Sequence, residues 1–403
     1  MSTPAPAPAP ATAAPDFRTE VRAWLDANCP ESMRSPYRSE ADVCWGGRGF
    51  VFHTEEQRRW LERMAGRGWT APTWPRDYGG GGLGREEAKI LKEELARIHA
   101  RPPLMSFGIS MLGPALLKFG TEEQKRQHLP PIVRGELRWA QGYSEPNAGS
   151  DLASLQARCE DRGDHFVLNG SKIWTSYGNY ADWMFCLVRT DFESKKQEGI
   201  SFVMFDMATP GVSTRPIRLI SGKSPFTETF FEDVRVAKDQ VIGGLNRGWT
   251  VAKYLLSHER EMIAGTGLSS AGSTPVSKTA VHLLDTENGV LRNSALRADI
   301  ARFEMDERCL DLTIERARDE AQAGASLGAY ASMFKYYGTE LNMRRWELLM
   351  AIGGYDALAW EGGDGDAEST AQHWLRSKGN SIEGGTSEIQ LNIVAKHILG
   401  LPG

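Results

Sequence analysis

The chain has 403 residues, a formal net charge of −5, 41% hydrophobic and 25% charged residues, which is the balance of a soluble globular enzyme of two or three domains. No basic face of the kind that grips nucleic acid is evident, and no uninterrupted apolar stretch is long enough to span a membrane. Cys29, Cys44, Cys159, Cys186 and Cys309 lie far apart with no C-x-x-C spacing, and the histidines form no H-x-x-x-H pair. Neither a disulfide framework nor a metal site is expected, and a reducing, cytoplasmic setting is.

Residues 1–15 alternate Ala and Pro without the apolar core of a signal peptide or the arginines of a transit peptide, so they read as an extended, solvated tail. Helical patterning follows over 16–138. Asp16 is placed to cap a helix through Val21, Trp24 and Leu25, and a second helix covers Glu55–Gly66. Trp74–Gly82 reads as loop. Further helices are expected over Glu86–His99 and Met105–Phe119, and a segment capped by Thr121 is expected to stop at Pro130-Pro131. Over 139–245 the pattern turns to short strands. His165–Leu168 and Lys172–Thr175 read as strands joined by a tight Asn169-Gly170 turn. Trp183–Arg189, Gly199–Phe205, Val212–Ile220 and Phe226–Val236 follow as strands. Helix resumes over 246–403, with segments at Thr250–Ala264, Asn293–Ala323, Ala329–Met350 and Ser387–Leu399. The fold class expected is α+β, with a helical, a β and a second helical domain in that order.

Four landmarks carry a resemblance. They are G-Y-S-E-P-N-A-G-S-D at Gly142–Asp151, K-I-W-T-S at Lys172–Ser176 with A-D-W at Ala181–Trp183, F-F-E-D-V-R-V at Phe230–Val236, and E-G-G-T-S-E-I-Q at Glu383–Gln390. In this order they resemble the acyl-CoA dehydrogenase family. The resemblance implies an N-terminal α-helical domain, a middle β-barrel and a C-terminal four-helix bundle. It also implies FAD as cofactor, an acyl-CoA substrate, an electron-transfer flavoprotein as acceptor and a tetrameric assembly.

Removing two hydrogens from adjacent carbons of a thioester needs a base for the acidic α proton and an electrophilic cofactor for the β hydride. A desolvated carboxylate suits the first task. Two glutamates compete for it. Glu259 has Leu255, Leu256, Met262 and Ile263 three and four residues away, so it lies on the apolar stripe of its helix, and an E-R pair here resembles members that keep their base at this place. Glu383 occupies the loop where many members carry theirs. Aligned on Thr386, however, the base position falls on Gly384, and a one-residue bulge at the glycines is needed to restore the reach. Glu259 is the preferred base and Glu383 the alternative.

The resemblance further implies that Gln141, Tyr143, Ser144, Trp174 and Ser176 touch the flavin, and that Ser150 and Arg260 contact the CoA portion. Thr386, Ser387 and Glu388 open the last helix, where free N–H groups favour cofactor oxygens, and Gly353-Gly354 is implied near the flavin nucleotide. Residue by residue, plainer roles compete: strand core for Trp174, a surface salt bridge for Arg260, and a Ser387–Gln390 capping box.

Two departures stand out. Gly272–His282 lacks the family's R-x-x-F-G motif, whose arginine reaches a neighbouring subunit's FAD, and a glutamine with a similar role is replaced near Met350. A branch linked to sterol side-chain and some dicarboxylic acid degradation shares each flavin between different subunits, so a heterotetramer is an open alternative to a homotetramer. Other readings kept open are an acyl-CoA oxidase, a degenerate subunit supporting an active partner, and a flavin-holding protein without turnover.

Overall fold

A capping hydrogen bond, Thr19 N–H to Asp16 Oδ1 at 2.8 Å, begins α1 (Phe17–Asn28) where the sequence places it. The computed structural model describes residues 16–37, 39–256, 274–322, 330–360 and 369–402. Glu259 and Arg260 therefore lie outside the described residues. These residues divide into two compact units, one holding the chain up to Trp45 with Phe50–Met105 and Val133–Gly135, the other the remainder.

In the first unit α1 packs with α2 (Glu55–Gly66) and α3 (Arg85–Arg97) around Val21, Leu25, Trp60, Met64 and Leu91. Glu94 is 2% exposed between Arg18, Arg22 and Arg97, and hydrogen bonds led by Arg22 hold its carboxyl at about 2.

The second unit opens with a departure from the expected Met105–Phe119 helix. Gly108–Leu112 is a π-helical turn, followed by α4 (Gly113–Phe119). Pro114 has no N–H for the carbonyl four residues back, and the backbone widens beside it. The next helix, α5 (Glu122–Val133), runs through Pro130-Pro131 rather than stopping there. Leu129 and Ile132 are fully buried, and their packing holds the last turn although two amides are missing.

Eight strands form one sheet: β1 (Trp139–Gly142), β2 (Arg158–Asp161), β3 (His165–Ser176), β4 (Trp183–Arg189), β5 (Ile200–Asp206), β6 (Val212–Ile217), β7 (Phe226–Ala237) and β8 (Val241–Ile242). Their order is β6-β7-β3-β2-β4-β5-β8, with β1 parallel on β4. The expected turn at Asn169-Gly170 is absent. β3 is one continuous strand with a register shift there, because Asn169 uses its side chain on Asp233 of β7 (2.9 Å in both directions) and Gly170 absorbs the irregularity.

The C-terminal helices are α6 (248–256 as described), α7 (Val276–Leu283), α8 (Ser294–Gln322), α9 (Tyr330–Gly353), α10 (Thr370–Ser377) and α11 (Ser387–His397). Val276, Ile300, Phe303, Phe334, Leu341 and Leu348 make a core shared by α7, α8 and α9. Among the described residues no helix is long and apolar enough to cross a membrane.

Candidate active site

The Gly142–Asp151 loop leaves β1 at Gly142, where a Cβ would sit 2.5 Å from Met184 Sδ, so only glycine lets β1 lie this close on β4. Glu145 anchors the loop from inside. Its carboxylate accepts from the amides of Gln156 (2.6 Å) and Ala157 (2.8 Å) and from Lys172 Nζ (2.7 Å). Lys172 is completely buried and also donates to the Tyr143 carbonyl at 3.1 Å, while Ile173 N–H donates to the Ser144 carbonyl at 2.8 Å. The E-P-N-A-G-S-D and K-I-W-T-S segments are thus two halves of one buried construction. The Tyr143 and Ser144 carbonyls are held by the Lys172 side chain and the Ile173 amide of the strand that presents Trp174 and Ser176. Gln141 lies on β1 opposite Phe185, and Ser150 stands exposed at the loop's far end beside Asp151, which pairs with Lys196.

Trp174 is not strand core. A second register shift between Lys172 and Thr175 leaves it out of the ladder, with φ 60°, and turns its side chain outward. It is 52% exposed, although the neighbouring Lys172 and Thr175 are fully buried. Its ring meets Phe226 edge-on, with centroids 6.0 Å apart, and Ser176 pairs with Phe226 across β3 and β7.

The C-terminal segment reaches the same aromatic wall. The Arg376 guanidinium on α10 lies 5.5 Å from the Phe226 ring centroid and pairs with Glu383 (Nη2 to Oε2, 2.7 Å). Asn380 Nδ2 donates to the other Glu383 oxygen. From α9, Asn342 Nδ2 donates to Asn380 Oδ1 (2.8 Å) and Lys335 Nζ to the Asn380 carbonyl (2.9 Å). Burial pushes the Lys335 ammonium below the usual lysine range, with Glu383, Glu340 and Glu388 opposing.

After Glu383 the chain turns through Gly384 (φ 66°) and Gly385 (φ 92°) into α11. The cap of α11 is Thr386, whose hydroxyl accepts from Ile389 N–H at 3.2 Å, so the Ser387–Gln390 capping box that competed as a plainer role does not form. Ser387 instead donates to Glu340 (3.2 Å), and Gln390 Nε2 folds back to the Gly384 carbonyl (3.0 Å), because the glycine turn exposes carbonyls that need a donor. Glu388 sits in the first turn of α11, where its own backbone amide, the Thr386 hydroxyl and the Lys335 charge hold it below the usual carboxylate range. Gly353 and Gly354 lie at the C-terminal end of α9, apart from this group in sequence, where a Cβ on Gly353 would meet Ala357.

The structure therefore brings together Trp174, Ser176 and Glu383, with Thr386–Glu388 continuing from the glycine turn. Arg376, Phe226, Asn380 and Lys335 complete the cluster and were not singled out from the sequence. The only signal for Arg376 is its place on the helix before the glycine turn, and Phe226 looks like any strand aromatic.

A helical region, a β sheet carrying a protruding aromatic and a C-terminal segment of helices reaching that aromatic wall make up the order of elements in which the comparisons place the chain. Models of three acyl-CoA dehydrogenase domains match the chain: the N-terminal domain over residues 15–136, the middle domain over 140–234 and the C-terminal domain over 246–399. The acyl-CoA dehydrogenase IpdE1 of Mycobacterium tuberculosis is 34% identical, over 96% of this chain and 97% of its own length. Among solved structures, the Tcur3481-Tcur3483 steroid ACAD matches with TM-score 0.75 and 32% identity, covering 96% of this chain and 97% of that one. The ChsE4-ChsE5 complex from Mycobacterium tuberculosis matches with TM-score 0.74 and 30% identity, over 96% and 97%. The chain belongs to the acyl-CoA dehydrogenase family, flavoprotein oxidoreductases acting on CH–CH bonds.

Proposed function

We propose that this chain carries out FAD-dependent α,β-dehydrogenation of an acyl-CoA thioester to the trans-2-enoyl-CoA, with Glu259 as the base for the α proton. The observation that carries this is Trp174, a strained and half-exposed aromatic on an otherwise buried strand, facing the wall formed with Phe226 and Arg376. Strain of this kind, about 1–3 kcal/mol, persists where the surrounding structure and a ligand make use of it.

The donor set fits FAD. Tyr143 and Ser144 would offer backbone groups and a hydroxyl, Ser176 a second hydroxyl, and Trp174 its ring. Gln141 and Gly353-Gly354 would complete the nucleotide contacts. The N–H groups at the start of α11, around Thr386, Ser387 and Glu388, suit cofactor oxygens. Gln390 Oε1 is buried and has no donor among the described residues, an acceptor that a hydroxyl-rich cofactor satisfies. When bound, FAD supplies the acceptor for the β hydride. Ser150 and Arg260 would meet the CoA portion.

Glu383 is the less suitable base, since Arg376 and Asn380 already engage both of its oxygens. A steroid-derived or similarly bulky acyl group is the favoured substrate, in keeping with the steroid ACAD relative. The missing R-x-x-F-G motif favours a heterotetramer, in which a different chain supplies the remaining nucleotide contacts. An electron-transfer flavoprotein is the proposed acceptor, and the cytoplasm the proposed setting.

The test is anaerobic bleaching of the flavin band by steroid-linked and straight-chain acyl-CoA thioesters, with and without a co-expressed partner chain. Glu259→Gln should lower kcat by about 10²–10⁴-fold, the usual worth of a positioned base. Wild-type turnover by that variant would remove Glu259 from the role, and rapid turnover with oxygen alone would make the protein an oxidase.

A further inference from the structure

We propose that Arg376 and Glu383 are a positioning pair that docks the Gly384–Gly385 turn and the start of α11 onto the aromatic wall of the flavin site, a role that rests on the dehydrogenase reading above. Arg376 belongs to two surfaces at once. Its guanidinium covers Phe226, the ring against which Trp174 packs, and its two terminal nitrogens reach the two oxygens of Glu383, at 2.7 and 3.4 Å.

Glu383 in turn stands on Asn380, which α9 holds through Asn342 and the buried Lys335. Its own backbone N–H donates to the Gly379 carbonyl at 3.0 Å, so both its main chain and its side chain are committed. The two glycines that follow have left-handed φ values and no side chains to hold them. Their position is set from outside, by Glu383 on one flank and by Gln390 on the other. A carboxylate that accepts a substrate proton has to leave its cation each turnover. One that fixes a turn must keep it.

The experiment uses the full chain with its FAD and any required partner. Hydrogen exchange of the amides of residues 384–390 reads the docking without any need for turnover. In Arg376→Gln and Glu383→Ala these amides should exchange at least about tenfold faster, with the double variant no worse than either single one. Arg376→Lys, a point charge without the fork, should recover part of the protection. FAD retention should weaken and the flavin band shift in the same variants, whereas Glu383→Gln keeps kcat within about tenfold, far less than the loss of a base.

Unchanged exchange in both single variants, or strictly additive losses, overturns the pair. So does a collapse of kcat in Glu383→Gln with exchange and FAD retention unaltered, which would make Glu383 the base. If the turn opens as expected but no thioester bleaches the wild-type flavin, the pair stands and the dehydrogenase reading falls.

Discussion

Two acid–base pairs hold the two halves of the site, and they differ in how much water they see. Lys172 and Glu145, beneath the Gly142–Asp151 loop, have side chains 0% and 9% exposed. Arg376 and Glu383, at the glycine turn, are 30% and 38% exposed. In the dry pair each ion depends on its partner and on the amides of Gln156 and Ala157, because a charge left alone there has no solvent to turn to. In the wet pair water competes for both groups, so little global stability rests on it. The first is a fixed foundation under the Gly142–Asp151 loop. The second sets the local position of a turn without carrying the stability of the fold.

The sharpest way to break this comparison is Lys172→Met. It strands the Glu145 carboxylate in the interior and should cost about 3–5 kcal/mol in urea unfolding. A midpoint close to wild type would show that the pair is not dry, and the contrast with Arg376–Glu383 would vanish.

Gly385→Ala probes the softer half with a smaller effect. The new Cβ would overlap Gln390 Nε2, at a φ of 92° that alanine resists, for an expected loss of about 1–3 kcal/mol together with weaker FAD retention. Gly49→Ala, where a Cβ meets nothing within 4 Å, serves as the control and should lie within about 0.5 kcal/mol of wild type. Equal effects from the two substitutions would deny the glycine turn any special role.

The smallest effect is a pH dependence at another buried polar group, His128. Gln240 donates its amide to Gln127 and Asp239, so its oxygen faces His128, whose Nε2 must carry the proton across 2.8 Å. His128 Nδ1 is then a buried acceptor with no partner among the described residues, and burial pushes the imidazole below the ordinary 6.5. Because the unfolded chain takes up the proton first, stability should be full above that pH and fall as the pH drops through it toward the folded value. His128→Gln keeps a donor to Gln240 and should flatten the decline in urea midpoint between pH 7 and pH 5. Parallel curves for variant and wild type would clear His128 of responsibility.

Much of the fold was legible in the chain. The helix start at Asp16, the second helix over Glu55–Gly66, the placement of strands over residues 139–245 and the motif order all follow from short-range chemistry: caps, periodicity and glycine. The misjudged elements share a cause. Asn169-Gly170 has the composition of a tight turn, and Pro130-Pro131 that of a stop, but partners distant in the chain decided otherwise: Asp233 on β7 in the first case, and burial of Leu129 and Ile132 in the second. For the same reason the strand-core role that competed for Trp174 in sequence is the one the structure excludes, leaving it exposed on the wall. A strand's alternation is a local rule, and a bulge that breaks it is imposed by the neighbouring strand's register.

Sequence alone determined the family and the order of helical, β and helical regions, because those reside in residue identity and spacing. Only tertiary structure decided that Glu145 belongs with Lys172, that Arg376 spans the aromatic wall and the glycine turn, and that Glu383 is already occupied. Ion pairs and aromatic contacts depend on distances of a few ångströms between residues far apart in the chain, and spacing along a sequence carries no measure of that distance.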